Sequence, residues 1–244
     1  MDSLPTHSRL RSLPWRDLLL GGMGLGILLV ISESLLDPPA LVPGLAGLLY
    51  LGLALILIAG LMVSGTRFGP ADRITLARSI LVLFLATLTG FPELLRDFAW
   101  FYVLLGLAAL IMDGADGHVA RRTGTASAFG ARFDMELDAF FILTLCLALM
   151  VLGKAGPWVL LIGLMRYGFV IAGWCWNWLN RPLPESFRRK TVCVWQMVTL
   201  MVALLPPVPD MFTHATLMVA LGLLAGSFAI DIRYLYLQRR TRSL

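Results

Sequence analysis

The chain has 244 residues, 58% of them hydrophobic and 14% charged, and its mean hydropathy is +0.81. That is too apolar for an ordinary soluble domain, and the apolar residues come in long blocks that no globular core can hide. The net charge of +5 is no nucleic-acid footprint, because no basic run interleaves with aromatics in a soluble segment. It reads as a topology signal and an attraction to the anionic headgroups of a lipid bilayer.

Residues 1–17 form a short polar arm containing Pro5 and Pro14. Beyond it, a helix needs about 20 mostly apolar residues to cross the roughly 30 Å hydrocarbon layer. Eight blocks are candidates: Leu18–Leu36, Leu41–Val63, Ile74–Gly90, Phe98–Met112, Phe133–Leu152, Trp158–Leu179, Val192–Leu205 and Thr213–Tyr236. None alternates as a barrel strand would, and backbone in lipid has to satisfy its own hydrogen bonds, so helices are expected. The fold class is therefore an all-α integral membrane protein with about eight transmembrane helices. The first block is long and no small-x-small site follows Leu36, so it reads as a retained helix rather than a cleaved leader. The Gly/Pro-punctuated stretch from Ser64 to Arg73 separates a two-helix extension (18–66) from a six-helix body (67–244).

Lys and Arg placement sets the orientation. With both termini cytoplasmic, the inner segments hold Arg9, Arg11, Arg16, Arg67, Arg73, Arg121, Arg122, Arg132, Arg181, Arg188, Arg189, Lys190, Arg233, Arg239, Arg240 and Arg242, sixteen of the twenty basic residues. The outer turns hold Arg96 and Lys154, while Arg78 and Arg166 lie within spans. A multi-pass protein of the cell (inner) membrane is expected. Cys146, Cys175 and Cys193 are scattered through apolar spans without CxxC pairing and read as packing residues.

Between Met112 and Phe140 the chain places four aspartates where two spans meet the cytoplasmic interface. Asp113 and Asp116 are i,i+3 on a helix, with Gly117 and Ala120 following on the same face. Asp134 and Asp138 are i,i+4, with Gly130 one turn earlier. A short loop makes these two helices antiparallel neighbours, so both pairs can aim at one point. A single aspartate at a helix end is usually a cap or a solvated charge. Four on two facing stripes repel strongly unless something neutralises them, and ionisable residues at membrane depth point to function. Hard divalent cations suit an all-oxygen set, Mg²⁺ or Mn²⁺ rather than zinc, since no His or Cys joins the cluster. The small residues leave room for a planar nucleotide to approach the backbone.

Read together, this stretch matches D-x2-D-G-x2-A-R-x8-G-x3-D-x3-D, filled by Asp113, Asp116, Gly117, Ala120, Arg121, Gly130, Asp134 and Asp138. It thereby resembles the CDP-alcohol phosphatidyltransferases, over roughly Pro70 to Tyr236. The resemblance implies that the four aspartates bind two divalent ions and that Asp138 is also the general base. It implies that Gly117, Ala120, Arg121 and Gly130 line the cytidine nucleotide site. The implied reaction moves a phosphatidyl group from CDP-diacylglycerol to a polar alcohol and releases CMP. The segment from Gly69 to Arg78 is similar to the family's P-N-x-[IL]-T-x-x-R, with Thr75 and Arg78 in place and Asp72 where Asn is usual. Arg78 would reach a phosphate of the CDP moiety, or snorkel to the headgroups.

Arg166 lies mid-span, where a lone arginine costs about 2.5–3.5 kcal/mol on insertion scales, so a polar cavity is expected beside it. Acceptor recognition is its favoured role, and a structural ion pair with Asp231 is the alternative. Arg188, Arg189 and Lys190 read as plain headgroup anchors, and His118 as a solvated interfacial residue. The acceptor is open among glycerol 3-phosphate, serine, an inositol phosphate or another polar alcohol. Ala139, where glycerol-phosphate synthases usually carry Lys, weighs against the first. A homodimer is compatible with this reading. Two rival classes are a cation-coupled transporter using the acidic cluster and an inactive lipid-binding scaffold. The first has no use for the Gly/Ala/Arg spacing, and the second predicts a missing motif residue.

The charge asymmetry yields a topology test. Gly65→Cys, Gly124→Cys and Ser243→Cys should be labelled only by reagent with access to the cytosolic side, and Gly156→Cys only from outside. Labelling of positions 124 and 156 from the same side would refute the eight-span arrangement.

Overall fold

The computed structural model describes residues 13–66, 68–123, 127–181, 183–184 and 186–241, without the side chains of 116–123 and 240–241. Among the described residues every regular element is helical. In chain order these are α1 (Trp15–Leu36), α2 (Leu41–Ser64), α3 (Pro70–Thr89), the short α4 (Pro92–Asp97), α5 (Ala99–Thr123), α6 (Ala128–Val151), α7 (Leu160–Cys175), α8 (Phe187–Leu204) and α9 (Asp210–Thr241). Single 3₁₀ turns at Pro157–Val159 and Asn177–Asn180 flank α7.

Each of the eight apolar blocks holds a helix, and among the described residues four segments are long and apolar enough to cross a membrane by length and composition alone. These are α1, α2, Pro157–Cys175 and Asp210–Arg239 in α9. In α3, α5, α6 and α8 the apolar run is broken by charged residues clustered toward one end. The span expected to reach Leu179 stops at Cys175, where Trp176 turns extended and Asn180 Nδ2 donates to the Gly173 carbonyl at 2.8 Å. An apolar count cannot register that, because Trp176, Trp178 and Leu179 keep the run hydrophobic past the break.

Contacts divide the chain into two compact units, the first ending at Asp138 and the second beginning at Ala139, so the division falls within α6. In the first unit, α1 and α2 pack on α3, and α3 packs on α5. Leu18, Leu57 and Leu76 form a buried cluster joined by Leu53, Ala54, Ile58, Phe68, Phe129 and Phe133. Tyr50 donates its hydroxyl to the Leu18 carbonyl, and Arg73 pairs with Asp17 at 2.8 Å. At the other end of α3, Thr89 and Tyr102 share a buried hydroxyl–hydroxyl bond of 2.9 Å. In the second unit a methyl group on Gly163 would meet Leu143 Cα at 2.8 Å, so only glycine lets α7 approach the last part of α6 so closely. Lys154 Nζ donates to the carbonyls of Ala203 (3.2 Å) and Leu205 (2.5 Å), closing the C-terminal end of α8.

The helix starts that matter for the site are set by local chemistry. Pro70 opens α3 with its preset φ, and Asp72 in the first turn accepts from the Gly69 N–H at 2.7 Å. Ser127 precedes α6 and accepts from the Gly130 N–H at 2.9 Å, an N-cap. The two starts touch. A side chain on Gly130 would collide with Asp72 Oδ1, so the bare glycine admits the carboxylate to the first turn of α6.

Asp72 is buried ahead of the apolar run that begins at Ile74, and desolvation holds its carboxyl above the usual range, with the Gly69 N–H pulling the other way. A raised carboxyl holds its proton more tightly folded than unfolded. Its stabilising effect is therefore complete at pH below the ordinary value and disappears as pH climbs through the raised one. Asp72→Asn keeps an acceptor for Gly69 and removes the desolvated charge. Its thermal midpoint at neutral pH should equal or exceed that of the wild type, and its slope between about pH 4 and 7 should be flatter. A fall of several degrees at pH 7 would show that the charge itself is needed.

Candidate active site

Three helices of the first unit supply the acidic site. Asp113 stands on α5 where its apolar run ends, and Asp134 and Asp138 stand one turn apart on α6. One carboxylate oxygen from each lies within 4.8 Å of the other two, and all three side chains are half-buried. At that spacing each pair of like charges repels by about 3 kcal/mol at an effective dielectric of 20. The repulsion is met by an arginine. Arg78, on α3, is 2% exposed and reaches all three: Nη1 donates to Asp113 Oδ1, and Nη2 lies 2.8 Å from Asp134 Oδ1 and 2.9 Å from Asp138 Oδ1. A guanidinium suits the position because its planar fork serves several carboxylates at once and it stays charged at any relevant pH.

The structure thus brings together Asp113, Asp134, Asp138 and Arg78. Arg78 does not snorkel to the headgroups; it stands among the carboxylates. Thr75, one turn before it, is buried and donates Oγ1 to the Ala71 carbonyl at 3.2 Å. Gly130 faces Asp72 and Ser127. The side chains of Asp116, Gly117, His118, Ala120 and Arg121 lie outside the described residues, although α5 carries their backbone as helix.

The donor set fits a metal. Three carboxylate oxygens in one cluster, with no imidazole or thiolate among the described residues of the group, are ligands for a hard divalent cation. Asp113, Asp134 and Asp138 can hold such an ion.

Arg166 is half-buried on α7, in the second unit. Asp231, its suggested partner, receives Arg188 Nη2 at 2.5 Å and Arg189 Nη1 at 3.6 Å. Arg188 also donates to the Ser227 carbonyl at 2.7 Å and to the Ser227 hydroxyl, and Arg189 to the Pro184 carbonyl. The basic run read as a headgroup anchor therefore spends two of its members tying the start of α8 to α9. The available signal was on the partner: Ser227 and Asp231 are i,i+4, a polar pair on one face of an otherwise apolar helix.

Comparison with known proteins adds one finding. No curated protein and no solved structure matches the chain. The family model described as CDP-alcohol phosphatidyltransferase matches residues 68–226, from the residue before Gly69 to the middle of α9. That is more than half of the 244 residues and takes in every residue of the acidic cluster and its arginine. The chain belongs to the CDP-alcohol phosphatidyltransferase family.

Proposed function

We propose that this membrane protein transfers the phosphatidyl group of CDP-diacylglycerol to the hydroxyl of a polar alcohol and releases CMP. The observation that carries the reading is the convergence of Asp113, Asp134 and Asp138 on one point, in a chain of this family. Asp113, Asp116, Asp134 and Asp138 would hold two divalent ions, Mg²⁺ or Mn²⁺. Such ions, when bound, neutralise charge developing on the phosphoryl oxygens.

The chain's own residues do the rest. Asp138 takes the proton of the acceptor hydroxyl. The freed oxygen attacks the lipid-side phosphorus, that phosphorus–oxygen bond to the cytidylate breaks, and CMP departs with the electron pair. Gly117, Ala120, Arg121 and Gly130 line the nucleotide. Thr75 and Arg78 border the diphosphate. Arg166 orients the acceptor, which favours a phosphorylated alcohol. The catalytic body is 67–244, with the helices of 18–66 appended, and the site opens to the cytoplasmic face of the cell (inner) membrane with both termini on that side. Purified protein incubated with labelled CDP-diacylglycerol, Mg²⁺ or Mn²⁺ and a panel of alcohols should release CMP with one of them. Release with none would overturn the reading.

Two variants test the assigned roles. Arg166→Ala should raise the acceptor KM while leaving CDP-lipid affinity near wild type, and Arg166→Lys should rescue only in part, since a point charge does not replace a planar fork. A normal acceptor KM in Arg166→Ala would indicate a structural ion pair instead.

Asp138→Asn keeps size and one oxygen ligand but removes the base, so turnover should fall at least ~10²-fold. Its nucleotide affinity should survive better than that of Asp113→Ala or Asp116→Ala, which remove ligands on the helix that cradles the nucleotide. Near wild-type turnover in Asp138→Asn would remove its catalytic role.

A further inference from the structure

Arg78 poses a problem of charge balance. At 2% exposure its guanidinium has to stay paired, because a buried charge stripped of its anions is far costlier than a paired one. It has no neutral form to retreat to. Its anions are Oδ1 of Asp113, Oδ1 of Asp134 and Oδ1 of Asp138, and the same three carboxylates form the group able to ligate a metal. A cation seated among them would stand against the guanidinium and draw off the charge that holds it.

We propose that Arg78 is a positioning residue that couples metal binding to binding of the diphosphate substrate, an inference resting on the function proposed above. A divalent ion and Arg78 compete for the carboxylates of Asp113, Asp134 and Asp138, so the ion alone binds against the guanidinium. A nucleoside diphosphate supplies a fresh anion. The long, flexible arginine stem lets the head turn to it without moving α3, and the cost of displacing it disappears. Metal and diphosphate therefore strengthen each other's binding beyond what their direct contact gives, and linkage makes that effect reciprocal.

A purely structural Arg78, one that only holds α3 against α5 and α6, predicts the opposite sign. Its loss would let the carboxylates drift apart and weaken metal binding. The test uses full-length protein in nanodiscs, with Mn²⁺ binding followed by electron paramagnetic resonance in the absence and presence of saturating CDP. Wild type, Arg78→Gln, Arg78→Lys and Asp113→Asn are compared.

Arg78→Gln should bind Mn²⁺ alone about tenfold more tightly than wild type, and the strengthening by CDP should shrink by a similar factor. Arg78→Lys, which keeps the charge but loses the fork, should fall between them and serves as the reading if Arg78→Gln does not fold. Weaker or unchanged Mn²⁺ binding in the folded variant, with CDP coupling intact, would overturn the proposal. Failure of the underlying function reads differently: wild-type Mn²⁺ binding would be indifferent to Asp113→Asn, or CDP would not bind at all.

Discussion

A guanidinium shut away from water among three carboxylates fixes the terms on which α3, α5 and α6 meet. Arg78 cannot be left unpaired at 2% exposure, and Asp113, Asp134 and Asp138 cannot sit within 4.8 Å of one another without a cation. Each side solves the other's problem. Breaking such a buried arrangement by removing one partner typically costs about 3–5 kcal/mol, a large share of the roughly 5–15 kcal/mol that holds a domain folded. The acidic motif on α5 and α6 is thus only half of a device whose other half is on α3.

That dependence gives the N-terminal helices a purpose the sequence alone left blank. Leu76 and Arg78 are two positions apart on α3 and so point about 200° apart around the helix. The side bearing Leu76 is packed by Leu18 of α1 and Leu57 of α2, while Arg73 reaches Asp17. Helices 18–66 therefore brace α3 from the side away from the carboxylates. The caps work to the same end. Asp72 and Ser127 start α3 and α6, and Gly130 allows those starts to touch.

Helix identity was legible because it is local: each of the eight long apolar blocks holds a helix, although those of the Ile74 and Phe133 blocks begin about a turn earlier, at Pro70 and Ala128. The acid spacing was legible for the same reason, since i,i+3 and i,i+4 offsets determine a face without knowledge of the fold. What partners Arg78 was not. Its carboxylates lie 35 residues away at Asp113 and 60 at Asp138, and a lone arginine in a span has several ways to satisfy its charge. The end of α7 was misplaced by composition, because the side-chain amide of Asn180 closes onto Gly173 inside a run that is still hydrophobic. Arg188 was misread because a basic residue near a membrane surface looks the same whether it meets a headgroup or, as here, Asp231 and Ser227.

Lys154 carries a consequence for how the chain enters its bilayer. It lies in the turn between α6 and α7, where its ammonium caps the last carbonyls of α8, and burial lowers its pKa against the opposing pull of Asp210. While the polypeptide emerges, α8 does not yet exist, and Lys154 counts as a full positive charge of the kind that weighs in topology selection. Once α8 docks, that charge becomes an internal counterweight to a helix end. Nascent chain and folded protein therefore present different charge maps to the same membrane. Arrival of α8 gives the charge its carbonyl partners, some fifty residues further along the chain.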